Sequence, residues 1–199
     1  MSEPTTLSLA TLGAVILCWL VFGAIFIFRK SPPKQAEAKR DRVAFIGILL
    51  QMCGYTLTWF QPPHKPFLPP VVALEGAAGI VFSVFTVAIA IASVWLIGVA
   101  VRFLGKQWAI AARLVEDHKL ITTGPYAYVR NPIYTGMFGM LIATGLAMEH
   151  WLGLIVGAIL FAAGLLIRIR SEEKLLRAAF GQEFDDYAKR VSAVIPGIY

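Results

Sequence analysis

Arg168, Glu172 and Glu173 stand close together in the run Arg168-Ile-Arg-Ser-Glu-Glu173, which begins while the preceding stretch is still apolar. On a helix, residues four apart share a face, so Arg168 meets Glu172, and the spacing of three predicts an Arg170–Glu173 pair. A guanidinium turned into a helical bundle can grip a carboxylate through two parallel bonds, and a carboxylate beside it can hold a cationic amino group. Charged side chains at a bilayer boundary also snorkel to the interface with no further role, so position alone leaves both readings open. A second constellation is His118-Lys-Leu-Ile-Thr-Thr-Gly-Pro-Tyr-Ala-Tyr-Val-Arg-Asn-Pro-Ile-Tyr134. Gly124-Pro125 and Asn131-Pro132 impose turns, and the prolines withhold backbone donors from any regular helix. Irregular backbone at a membrane face leaves amide and carbonyl groups able to bind an adenosine or a carboxylate. The same turn residues also suit an ordinary connector.

The elements that must position these residues are apolar. The sequence is 58% hydrophobic and only 15% charged, well beyond the roughly half-apolar content of a soluble domain. Apolar runs fall at 7–28, 43–60, about 76–101, 133–148 and 151–167, each bounded by charge, proline or both. They predict an all-α integral membrane protein of about five transmembrane helices, a single domain over 1–199. The run at 133–148 is short, rising about 24 Å against roughly 30 Å of hydrocarbon. Glu149-His150 makes a minimal turn into Trp151, so the last two spans form an antiparallel hairpin. Gly136, Gly139, Gly145, Gly153, Gly157 and Gly164 would let its two backbones approach closely. Leu176, Phe180, Phe184, Tyr187 and Val191 then recur at helical spacing, which predicts an amphipathic helical tail, one helix or a pair, bent at Gly181.

The net charge of +6 does not mark a nucleic-acid protein, because the basic residues flank apolar segments and form no patch with interleaved aromatics. All but one of the 18 Lys and Arg residues, Lys65 being the exception, fall on one side of a five-span arrangement. The positive-inside rule then puts the N-terminus outside and the irregular loop and tail in the cytoplasm. No basic residue precedes the first run and no small-residue cleavage site follows it, so it reads as a retained span. Cys18 and Cys53 lie in apolar runs without metal-ligand spacing, so no metal site is expected.

His118-x-Leu120-Ile121, Gly124-Pro125-Tyr126, Arg130-x-Pro132-x-Tyr134-x-Gly136, Arg168, Glu172-Glu173 and Phe180-Gly181-x-Glu183-Phe184-x-x-Tyr187 together resemble the isoprenylcysteine carboxyl methyltransferase family and, more distantly, the phospholipid N-methyltransferases. The resemblance implies S-adenosylmethionine as cofactor, held in a region of about 105–134 plus 168–199. Carried over by position, it places His118, Leu120, Ile121, Tyr126, Asn131, Pro132, Ile133, Tyr134 and Glu172 around the cofactor, with Arg168 facing the acceptor. The family usually has histidine where Asn131 stands. Hydrogen bonding survives that change, whereas a titratable role does not.

A lipophilic carboxylate, such as a prenylated cysteine, is ionised at neutral pH and needs orientation more than a base. An amine or thiol acceptor would need Glu173 or His118 as its base. Membrane lipids are the other expected partners. Two other readings stand beside this one. Sterol-reductase-like enzymes have a similar C-terminal topology, can end much like Ile195-Pro-Gly-Ile-Tyr199 and would use NADPH, although the Arg168 to Glu173 pattern fits the methyltransferases better. In a non-catalytic membrane subunit the loop and tail would merely close the bundle.

Overall fold

The computed structural model describes residues 6–28, 37–40, 43–60, 76–105, 113–115 and 120–197. Helix α1 spans Thr6–Ile27, α2 Ala44–Trp59, α3 Ala77–Leu104, α4 Pro132–Ala147, α5 Trp151–Phe180 and α6 Gln182–Arg190, with a 3-10 turn at Gly124–Ala127. Helices α1, α3 and α5, of 22, 28 and 30 residues, are long and apolar enough to cross a membrane, and α2 and α4 are shorter apolar helices. Leu17, Leu20, Val81, Trp95 and Ile159 are exposed on them. Helices apolar on every side suit a hydrocarbon surround, and the chain is an integral membrane protein.

Helices α4 and α5 are joined by the expected short turn, with His150 N donating to Gly145 O, but most of the close glycine contacts fall elsewhere. Helix α5 packs most extensively on α2, and α4 on α3. The glycines explain the choice of partner. A Cβ on Gly54 would sit 2.6 Å from the Gly157 carbonyl oxygen, and one on Gly164 would sit 2.5 Å from that of Gly47. These two contacts, seven residues apart on each helix, bring α2 and α5 together antiparallel at backbone distance. On α4, a Cβ at Gly136 would lie 2.8 Å from the Ser93 carbonyl of α3, and only Gly145 turns toward α5, against Leu154. Phe161, Leu141, Ile169 and Tyr55 fill the space between α2, α4 and α5. Val15, Met140, Ala143 and Ala90 join α1, α3 and α4. Trp19 Nε1 donates to Thr144 Oγ1 at 2.9 Å, tying α1 to α4.

The close approach gives a prediction of opposite signs. A methyl group added at Gly13 would meet nothing within 4 Å, so Gly13→Ala is expected to be neutral or to stabilise α1 by up to about 1 kcal/mol. Gly164→Ala meets backbone and should instead destabilise by roughly 1 to 3 kcal/mol. Thermal midpoints in the same detergent would check both, and a stabilising Gly164→Ala would contradict the packing.

One short element stands beside the helices. Residues Glu37–Arg40 pair antiparallel with Arg113–Val115, so the first and third connections meet at the same end of the bundle. The tail forms helices bent at Gly181, as the periodicity predicts, and departs from it only after Arg190. Helix α5 runs unbroken past Arg168 and Glu172 to Phe180, Gly181 turns the chain at φ +52°, and α6 follows. Val191 does not extend the helical stripe: its backbone is extended at φ −121°, ψ 127°, and Ser192 forms a parallel bridge with Val129 of the loop.

Candidate active site

The loop before α4 is fixed from three sides. Gly124 sits at φ +62° against the Phe103 ring of α3, where a Cβ would be 2.5 Å from a ring carbon. The Tyr187 hydroxyl of α6 donates to the Tyr126 carbonyl at 2.6 Å. Burial pushes that phenol up to about 12, so it remains a donor at neutral pH. The tail segment closes the third side. The backbone N–H groups of Arg130 and Asn131 donate to the Ser192 and Ala193 carbonyls at 2.9 and 3.0 Å. Asn131 Nδ2 also reaches Ala193 O at 3.0 Å, and Thr135 Oγ1 donates to Val194 O at 2.8 Å.

Arg130 joins loop, α5 and tail. Its Nε and Nη2 donate to one Glu173 oxygen at 3.1 and 2.7 Å, and Nη1 donates to the Ala188 carbonyl at 2.8 Å and to that of Val191. Arg170 is exposed. The local Arg170–Glu173 pair is thus replaced by a contact from 43 residues away, because the chain folds Arg130 back over α5. Arg130→Gln should loosen this clamp at a cost of about 1.5 to 3 kcal/mol, the range for hydrogen bonds to charged groups. Trypsin would report it as faster cleavage at exposed Lys189 and Arg190; an unchanged rate would remove the clamp from the tail's anchorage.

The second cluster is deeper. Arg168, only 6% exposed, lies with its guanidinium carbon 4.6 Å from the Tyr134 ring centroid. Its Nη2 is 3.9 Å from Glu172 Oε1, and its Nη1 donates to Gln51 Oε1 of α2 at 2.9 Å. The Tyr134 hydroxyl donates to the same Glu172 oxygen. One carboxylate therefore faces a phenol and a guanidinium, and that cation is stacked on the ring of the same phenol. Pro132 occupies the first turn of α4, where the missing N–H costs nothing, and fixes the direction in which Tyr134 leaves the loop.

Of the residues singled out in the sequence, Tyr134, Glu172 and Arg168 come together. Pro132 and Ile133 lie beside them at the start of α4, Tyr126 is buried under the loop, and Leu120 and Ile121 are half-buried in irregular backbone. His118 lies outside the described residues. Asn131 directs its amide nitrogen to the tail, and Glu173 faces Arg130 rather than the Arg168 cluster. One Glu173 oxygen accepts both of these Arg130 bonds, so in this structure Glu173 anchors the loop to α5. Gln51 is the site residue that sequence reasoning missed. Its signal was legible as a lone amide inside the apolar run Ala44–Trp59, a placement that membranes make costly. Among the described residues no three His, Cys, Asp or Glu side chains gather as a metal site.

Buried Arg168 and Tyr134 and the half-buried Glu172 thus gather beneath a clamped loop at one end of a bundle of apolar helices. Residues 74–183 match the phospholipid methyltransferase family, so α3, α4, α5 and the start of α6 carry the family pattern. The chain belongs to the phospholipid methyltransferase family. It is 36% identical over 110 residues to the nickel-cobalt-cadmium resistance protein NccN of Alcaligenes xylosoxydans xylosoxydans, covering 54% of this chain and 50% of that one. It is 32% identical over 87 residues to the protein-S-isoprenylcysteine O-methyltransferase of Schizosaccharomyces pombe, covering 44% and 37%. To the enzyme of that name from Saccharomyces cerevisiae it is 37% identical over 83 residues, covering 42% and 35%. The chain thus spans half or less of the length of these curated relatives.

Proposed function

We propose that this chain is an S-adenosylmethionine-dependent methyltransferase whose acceptor is a lipophilic carboxylate, a prenylated cysteine or a close analogue. The observation that carries this reading is the buried Arg168 guanidinium, held over Tyr134, beside Glu172 and against Gln51, within an apolar bundle. A permanently charged fork at such a depth is suited to an anionic group on an otherwise apolar molecule. The isoprenylcysteine O-methyltransferases among the relatives bear names that describe such an acceptor.

The donor set fits the cofactor: a carboxylate for a cationic amino group, an aromatic ring, and half-buried aliphatic side chains at Leu120 and Ile121. Glu172, Tyr134, Tyr126, Ile133 and Pro132 would hold it, with Asn131 shaping the loop through its tail contacts. When bound, S-adenosylmethionine supplies an electrophilic methyl group on a sulfonium. The chain's own contribution is positioning. Arg168 orients an acceptor that is already deprotonated, so no side chain need take a proton, and the bundle excludes water that would compete for the methyl group. Accordingly this reading gives Glu173 no role as base.

We also assign the loop and tail to the cytoplasmic side and the N-terminus to the outside, following the distribution of basic residues. Pairing of Glu37–Arg40 with Arg113–Val115 supports a common side for the first and third connections. The cofactor assignment is tested by calorimetry with purified protein. Binding of S-adenosylmethionine and not of NADPH is expected; the reverse would favour a reductase, and binding of neither a non-catalytic subunit.

A further inference from the structure

Gln51 is 2% exposed in the middle of α2, a helix that lies before the region matched by the family. The glycine contacts between α2 and α5 put it there. Arg168 Cγ would lie 2.5 Å from a Cβ on Gly47, and Gln51 Cγ would lie 3.1 Å from one on Gly164, so neither helix can retreat without separating the pair. A guanidinium has donors only, so the Gln51 oxygen must face Arg168 and the amide NH2 must turn away from it. That Nε2 has no hydrogen-bond partner among the described residues. A buried amide donor left unmatched is destabilising and calls for an acceptor that the described residues do not provide.

We propose that Gln51 and Arg168 form a two-helix cradle for the acceptor's carboxylate, the guanidinium binding one oxygen and the Gln51 N–H the other. The inference rests on the carboxylate reading above and assigns α2 a direct part in acceptor choice. A guanidinium and an amide N–H, both donors, suit an anion with two oxygens. They are the wrong complement for an ammonium group, which brings its own hydrogens.

The test is Gln51→Glu, with N-acetyl-S-farnesylcysteine as the carboxylate acceptor and phosphatidylethanolamine as the amine. A purely structural glutamine, present only to hold Arg168, would be replaced without loss, because a carboxylate pairs with arginine at least as well. A cradle predicts the opposite: KM for the carboxylate acceptor rises about tenfold or more while S-adenosylmethionine affinity stays within about twofold of the parent. Gln51→Met, which keeps the shape and removes both polar atoms, should raise the same KM and serves if the glutamate variant does not fold. A parental KM in the folded variants overturns the cradle and leaves the carboxylate reading standing. If the parent itself methylates only the amine, that reading fails first and the cradle with it.

Discussion

Arg168→Lys is expected to lower methyl transfer by about tenfold to a hundredfold while cofactor affinity stays close to the parent's, since a lysine keeps the charge beside Glu172 but loses the planar fork. The geometry explains why the two readouts separate. Nη2 is 3.9 Å from the carboxylate, a distance at which any cation in that place still neutralises Glu172, whereas the 2.9 Å bond to Gln51 and the stacking on Tyr134 depend on the shape of the guanidinium. Arg168→Ala should be more severe and should weaken the cofactor as well, because Glu172 then loses its cation. Turnover and affinity measured on the same folded protein decide the matter. Equal losses of both in the lysine variant would move Arg168 into the cofactor site, and near-normal values would reduce it to a snorkelling residue.

The second large effect is expected at Glu172. Glu172→Gln keeps the shape and an oxygen for Tyr134 but removes the charge assigned to the cofactor's amino group. Loss of one charge-assisted hydrogen bond corresponds to roughly 1.5 to 3 kcal/mol, or about tenfold to more than a hundredfold in affinity. Tyr134→Phe is the control. It removes the hydroxyl donor to Glu172 while leaving the ring beneath Arg168, and a loss near fivefold, about 1 kcal/mol, is expected. Calorimetry on Glu172→Gln giving the parent's affinity would detach the carboxylate from the cofactor.

Much of this arrangement is legible in the residues. Apolar run length locates the first four helices to within a few positions, since hydrocarbon demands it, whereas α5 continues 13 residues past the apolar run at 151–167 to Phe180. Gly181 marks the bend before α6 because its φ of +52° suits glycine. The Arg168–Glu172 pairing follows from helical periodicity. What periodicity cannot provide is the identity of a partner distant in sequence. Small residues on α5 announce a close contact without saying that Gly47 and Gly54 of α2, and not the neighbouring α4, will meet them. Glu173 likewise turns from nearby Arg170 to Arg130, and the extended segment after Arg190 finds its hydrogen bonds in the loop at 129–131. Gln51 belongs to the same class: its burial cost is visible in the sequence, but its closeness to Arg168 depends on the helix pairing.

The most direct measurement uses the purified protein in lipid vesicles with methyl-labelled S-adenosylmethionine, N-acetyl-S-farnesylcysteine and phosphatidylethanolamine supplied together. The arrangement of Arg168, Gln51, Glu172 and Tyr134 predicts that label enters the prenylated cysteine as a methyl ester, released as methanol by alkali. Label found instead on the amine headgroup in an alkali-stable bond, or no transfer by protein that binds the cofactor, would contradict it.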